Sequence, residues 1–175
     1  MTVERTVPRV MVAAVATLRS RAADEAAKMA VDEVSAGHFT LVRSVVVRGE
    51  PEYIRQLVSH VSNDNEADAI LMIGGVGIGP RDTTCDALDA LFERHVEGFG
   101  DAYRGMLRDE FKVGSAAMLA RASAGIYNRC VVYALPTHPL HLKRAIQTLV
   151  LPSLAEAVEL AGGHGLPSIR PSRPA

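Results

Sequence analysis

Cysteine is nearly missing from this chain: Cys85 and Cys130 stand far apart among 175 residues, with no CxxC spacing. That excludes a disulfide framework and fits a reducing compartment. No apolar run approaches the roughly 18 to 20 residues of a membrane-spanning helix, so no membrane partner is expected. An excess of one charge is missing too. Nineteen basic residues face twenty acidic ones, the net charge is −1, and like charges form no block. Broad electrostatic attraction to nucleic acid or a membrane surface is thereby excluded, while a local basic site stays open. Glu4, Arg5 and Arg9 precede the first apolar stretch without a convincing cleavage site, so no export signal is expected and the expected location is cytoplasmic. Two nucleotide-binding signatures are also absent. There is no GxxxxGK[ST], and a GxGxxG reading from Gly75 would need glycine where Pro80 stands.

What is present centres on Ala69 to Ala87, AILMIGGVGIGPRDTTCDA. Ala69, Ile70, Leu71, Met72 and Ile73 leave no polar side, which reads as a strand buried on both faces. Gly74, Gly75, Gly77 and Gly79 follow. Their lack of side chains and tolerance of positive φ let several backbone N–H groups converge, a cradle for an anion. A tight corner with no ligand is the alternative reading of the same glycines. Thr83, with Asp86 three residues on, is expected to cap the next helix and turn its positive end toward the loop. Arg81 and Asp82 sit at the same mouth, and Cys85 near that helix start is placed where a thiolate is favoured.

The remaining pattern alternates strand and helix at the length of one domain, long enough to bury a core without staples. Val10 to Ala16 reads as a first central strand. Ala22 to Ala36 reads as a helix with Ala26, Met29, Ala30 and Val34 on one face and Gly37 as its stop. Phe39 to Val47 suggests a strand, and a helix from about Glu52 carries Ile54, Leu57, Val58 and Val61. Helical stretches are expected over Asp101 to Arg108 and Gly114 to Ala122. Gly125 to Asn128 reads as a turn into the last strand, Cys130 to Leu135, and helix resumes from Leu140 with Pro152 restarting it. Gly162 to Ala175 holds three prolines and three glycines and is expected to be a disordered tail, leaving 7–161 as a single domain. The fold class expected is α/β with a mainly parallel sheet and helices on both faces. In such folds ligands gather at the carboxyl ends of strands, where Gly74 to Asp82 and Pro136-Thr137-His138-Pro139 form two candidate lips of one cleft.

GGVGIGPRDTTCDAL, then VEGFG, MLARASAG and LPTHP resemble, in order and spacing, the molybdopterin-binding Mog/MoaB family of molybdenum-cofactor biosynthesis. The resemblance runs from about Val10 to Leu160. It implies a three-layer α/β/α sandwich assembling as a homotrimer, or as a hexamer of two trimers. It further implies molybdopterin as ligand, ATP and Mg²⁺ in adenylyl transfer with release of pyrophosphate, and other cofactor-assembly proteins as partners. Carried over by position, Gly74, Gly75, Val76 and Gly77 form the phosphate- or pterin-binding loop. Asp82 is the functional carboxylate, catalytic or on Mg²⁺, with Glu50 as a possible second metal ligand. Arg81, Thr84, Pro136, Thr137 and His138 are further ligand contacts.

The sequence also departs from that pattern. Val76 replaces a threonine, Gly49 stands at a second acidic position with Glu50 beside it, and Ala116 and Ala120 replace hydroxyl residues ahead of Arg121. Thr137-His138 replaces a Gly-Ser pair, and the Asp-x-Ser-Gly segment expected after the first strand is missing from Thr17 to Asp24. These losses favour a non-catalytic carrier or scaffold as the alternative to an adenylyltransferase. His138 and His141 lack a third partner of convincing spacing for a metal, so His138 reads as a phosphate or pterin contact. His95 reads as structural, and Arg121 either reaches the cleft or bridges subunits.

Overall fold

The computed structural model describes residues 7–16 and 21–162. The expectations for the chain start at Met1 to Thr6, for Thr17 to Ser20, and for the tail beyond Gly162 lie outside the described residues. Strand β1 (Arg9–Ala16) leads through α1 (Arg21–Ala36) to β2 (Thr40–Arg48), and α2 (Pro51–Asn63) leads to β3 (Ala69–Ile73). After α3 (Thr84–Asp89) come the two-residue strand β4 (Arg94–His95), α4 (Glu97–Asp109), a 3₁₀ turn (Gly114–Leu119) and β5 (Ser123–Tyr127). Strand β6 (Cys130–Leu135), α5 (Pro139–Ala145), a π turn (Ile146–Val150) and α6 (Leu151–Ala161) complete the chain.

The six strands form one sheet in the order β2-β1-β3-β6-β5-β4. β2, β1, β3 and β6 run parallel, β5 is antiparallel to β6, and the edge strand β4 is antiparallel to β5. Side chains alternate along each strand, so a strand covered on both faces must be apolar at every position. β3 is buried throughout for that reason. Val10, Val12, Leu71, Ile73, Tyr133 and Leu135 pack under α1, α4, α5 and α6. Met11, Ala13, Ile70, Met72, Val132 and Ala134 pack under α2 and α3. The three-layer α/β/α sandwich is thus present, with a mixed sheet whose four parallel strands run from the β2 edge inward to β6.

Two expectations need correction. Gly125 to Tyr127 belongs to a strand, paired with β6 through Tyr127 opposite Cys130, and the turn between them is Asn128-Arg129. Both turn residues have positive φ, 43° and 68°, as a two-residue hairpin turn of the primed type requires. SAGIY carries too little apolar bulk to read as a strand. Its small residues are required by packing, since a Cβ on Gly125 would meet the Phe92 ring. Helix also resumes at Pro139, one residue ahead of Leu140, and passes through the π turn before Pro152 opens α6.

Candidate anion-binding site at the carboxyl edge of the sheet

Because β1, β2, β3 and β6 are parallel, their carboxyl ends point to one edge: Ile73 and Leu135 end level with Ala14, and β1 and β2 run two residues further to Ala16 and Arg48. The loops leaving β2, β3 and β6 therefore share one edge. The segment following α4 joins them, since the Arg121 amide donates to the Val76 carbonyl at 3.0 Å.

The glycine loop starts with Gly74 at φ 109° and Gly75 at φ 69°, both in the region that disfavours L side chains. Close approach makes the same demand. A Cβ on Gly74 would lie 2.8 Å from the Val15 carbonyl, and one on Gly75 would strike the Thr84 hydroxyl. The space above these two glycines is thus filled by the chain itself. Their amides differ in availability. Gly74 N donates to Leu135 O at 2.8 Å and Gly79 N to Asp82 Oδ2 at 2.9 Å. Between them, the amides of Gly75, Val76, Gly77 and Ile78 have no hydrogen-bond partner among the described residues. Four consecutive donors at the end of the central strand form the chemically unsatisfied feature of this edge.

Thr83 does not cap α3. Its hydroxyl donates instead to the Gly49 carbonyl, tying the β3–α3 loop to the β2–α2 loop. A cap was expected from the residue type, but the backbone at Thr83 is already helical rather than extended, so the side chain cannot curl back onto the following amides. α3 has six residues, and its Thr84 amide is taken by Gly75 O at 3.0 Å. Thr84 itself is fully buried with its hydroxyl 2.7 Å from Gly74 O, so it shapes the loop from beneath. Val76 turns away from the edge and is buried in the cluster with Cys85 and Leu88. Arg81 is exposed and forms no hydrogen bond or ion pair with the described residues. Ile78 is exposed beside it.

Asp82 uses Oδ2 on the Gly79 amide, and its carboxylate fills the position a Cβ on Gly77 would need. Oδ1 has no partner among the described residues. One residue past Gly49, Glu50 accepts from Arg48 Nη2 at 2.5 Å through Oε1, while Oε2 is shielded from solvent without a hydrogen bond. Arg48 first, then the local backbone amide, hold the Glu50 carboxyl below the usual carboxylate range. The Thr83–Gly49 bond brings the loops bearing Asp82 and Glu50 side by side. Among the described residues no three His, Cys, Asp or Glu side chains are grouped to hold a metal. Two carboxylates with unsatisfied oxygens do suit Mg²⁺, which takes few protein ligands and fills its shell with phosphate oxygen and water.

The opposite lip is close. Thr137 Cγ2 lies 3.4 Å from where a Cβ on Gly74 would sit, Pro136 is half-buried, and His138 is exposed at the start of α5. His138 stacks on His141, with ring centroids 4.0 Å apart and planes at 24°. Phe111, a residue not singled out in the sequence, meets His141 edge-on at 4.6 Å. Its role carries no local signal, because the contact depends on how α4 ends beside α5.

Three further residues singled out in the sequence lie near this edge. Arg121 donates two hydrogen bonds to the Asp86 carboxylate, at 2.6 and 3.2 Å. Cys85 is not thiolate-prone: burial pushes its pKa up to about 11, and its Sγ lies 2.9 Å from Arg121 O. The short helix behind it is too weak a dipole to offset the loss of water. His95 packs edge-on against Phe92 and lies 3.8 Å from Asp89. Ala116 and Ala120 sit on and just after the 3₁₀ turn, presenting methyl groups.

A family described as the probable molybdopterin binding domain matches residues 10–156. The chain belongs to this family. The molybdenum cofactor biosynthesis protein B of Bacillus subtilis is 31% identical over 150 residues, covering 86% of this chain and 88% of that protein. A probable molybdopterin adenylyltransferase of Methanocaldococcus jannaschii is 34% identical over 113 residues, covering 65% of each. A crystal structure of a molybdenum cofactor biosynthesis protein B superposes with a TM-score of 0.82 at 26% identity, over 91% of this chain and 98% of that one. The resemblance to the Mog/MoaB group and the fold it implied therefore stand.

Proposed function

We propose that this protein acts in molybdenum-cofactor biosynthesis, binding molybdopterin at the carboxyl edge of the sheet and joining its terminal phosphate to the AMP portion of ATP. A phosphate oxygen of molybdopterin forms a bond to the α-phosphorus of ATP, the bond from that phosphorus to the α–β bridging oxygen breaks, and pyrophosphate leaves. Such transfers depend on alignment and charge neutralisation more than on covalent help from the protein. The amides of Gly75 to Ile78 hold phosphate oxygen, and Arg81 supplies a positive charge at the mouth. Asp82 and Glu50 are the residues to hold Mg²⁺, which when bound neutralises phosphate charge. Pro136, Thr137 and His138 close the other side. The proposed assembly is a homotrimer or hexamer.

The observation that carries this reading is the run of four unpartnered amides beside the Asp82 carboxylate. The second reading, a molybdopterin carrier or scaffold without catalysis, is favoured by the absence of hydroxyls at Ala116 and Ala120 and by Val76 being turned into the core. Incubating the purified protein with molybdopterin, ATP and Mg²⁺ separates them. Adenylated product and pyrophosphate in equal amounts are expected, both lost in Asp82→Ala. Pterin binding without product selects the carrier, and absence of binding overturns both.

A further inference from the structure

The four unpartnered amides lie on a loop that its own residues close twice. At the stem, the Thr84 amide donates to Gly75 O at 3.0 Å and the Thr84 hydroxyl to Gly74 O at 2.7 Å. At the mouth, Gly79 N donates to Asp82 Oδ2 at 2.9 Å and the Asp82 amide to Gly79 O at 3.0 Å. Two backbone bonds fasten the loop on its β6 side, from Gly74 N to Leu135 O and from Arg121 N to Val76 O. On the β2 side the fastening is a single side chain. Among the described residues, the only hydrogen bond joining residues 49–50 to residues 74–83 runs from the Thr83 hydroxyl to the Gly49 carbonyl. The receiving end is itself braced. Glu50 Oε1 accepts from Arg48 Nη2 at 2.5 Å, the Arg48 guanidinium lies 4.7 Å from the centre of the Tyr53 ring, and the Tyr53 amide returns to Glu50 O at 3.1 Å. Pro51 then opens α2 with its φ already fixed.

We propose that Thr83 is a positioning residue for the anion site: by latching the β3–α3 loop to the braced β2–α2 loop, it presents the Gly75–Ile78 amides in one orientation. The inference rests on the reading of that loop as an anion site. A carbonyl can only accept, so the Thr83 proton is committed to Gly49 and Thr83 acts through the loop, not on the anion. A glycine-rich segment has the most conformational freedom to lose, and donors already aimed when an anion arrives spare that ordering cost. The same bond makes Gly49 and Glu50 respond when the amides are filled.

Titration of the full chain with inorganic sulfate, followed by amide NMR, reads both loops at once. In the wild type the Gly75–Ile78 amides are expected to shift saturably, and the Gly49 and Glu50 amides to shift with the same midpoint. Thr83→Val keeps the β-branched shape and removes the donor, while Thr84 still closes the stem. Its affinity for sulfate should fall about three- to tenfold, the scale of one lost hydrogen bond, and the response at Gly49 and Glu50 should disappear. Thr83→Ser restores the donor and should recover both, a rescue that lost packing alone would not show. If the valine variant does not give a folded spectrum, Thr83→Ala makes the same comparison. Wild-type affinity in the variant lacking the donor, or an unchanged response at Gly49, overturns the latch while leaving the anion site intact. A serine variant as weak as valine overturns it too, since the bond is then not what matters. No saturable shift of the Gly75–Ile78 amides in the wild type removes the anion site and the latch together.

Discussion

Thr84 and Asp82 show how single side chains fix a glycine-rich loop whose own residues have none to contribute. The Thr84 hydroxyl is fully buried and donates to Gly74 O, holding the turn where the chain leaves β3. Valine has nearly the same shape without the donor. Thr84→Val therefore leaves the Gly74 carbonyl short of a partner at a cost of about 1–3 kcal/mol, read as a lower urea midpoint with an unchanged slope. Serine at the same position restores the donor and should recover most of the midpoint. If valine is as stable as threonine, the loop is held by its glycines alone. Asp82 combines two tasks through its two oxygens, one on Gly79 N and one open to the edge. The structural task explains why a carboxylate at this position does not by itself argue for chemistry.

At the scale of elements, the hairpin joining β5 and β6 offers a clean test of local backbone strain. Asn128 tolerates its positive φ, but Arg129 at φ 68° is a side chain in a region that favours glycine. Arg129→Gly should stabilise the fold by about 0.5–1 kcal/mol, offset slightly by loss of an exposed 3.1 Å bond to Gly162 O. Thermal unfolding measures it, and a fall in midpoint contradicts the strain. This hairpin is also where the sequence was least legible. β1, β3 and β6 announce themselves through unbroken apolar runs, and α1 and α2 through stripes at helical spacing. β5 is short, small and half-covered, so its identity comes from pairing with β6 and from Phe92 lying over Gly125. The glycine loop was legible as a place, while which of its amides remain unpartnered was not. That depends on Leu135 and Asp82 reaching two of them. Thr83 misled for a related reason: its hydroxyl found a carbonyl 34 residues earlier in the chain, a contact only the sheet order creates.

At the scale of the whole molecule, arginine-paired carboxylates and buried thiols and phenols have opposite consequences for pH. Arginine partners hold Glu50, Glu66 and Asp86 below the ordinary carboxylate range, so whatever these exposed pairs contribute is present at neutral pH and is lost as the carboxylates protonate in acid. The buried groups act in base. Burial raises Cys85 from 9.0 to about 11 and Cys130 from 9.0 to about 12, and it lifts Tyr103 and Tyr133 from 10.0 to about 12. In each case the unfolded chain ionises first while the folded chain resists. The contribution of these groups is therefore complete below about pH 8, falls as the unfolded thiols ionise around pH 9, and falls faster above pH 10 as the phenols join. Each buried thiol can contribute up to about 1.4 kcal/mol per pH unit in that range. Urea midpoints should fall slightly from pH 8 to pH 9, where the unfolded thiols are half ionised, and more steeply from pH 9 to pH 10, and Cys85→Ala should flatten the fall relative to its own value at pH 8. A midpoint unchanged at pH 10 means that water reaches these groups in the folded protein. The same burial predicts that iodoacetamide at pH 8 leaves both thiols unmodified until denaturant is added, which separates shielding of Cys85 from any reactivity at the neighbouring edge of the sheet.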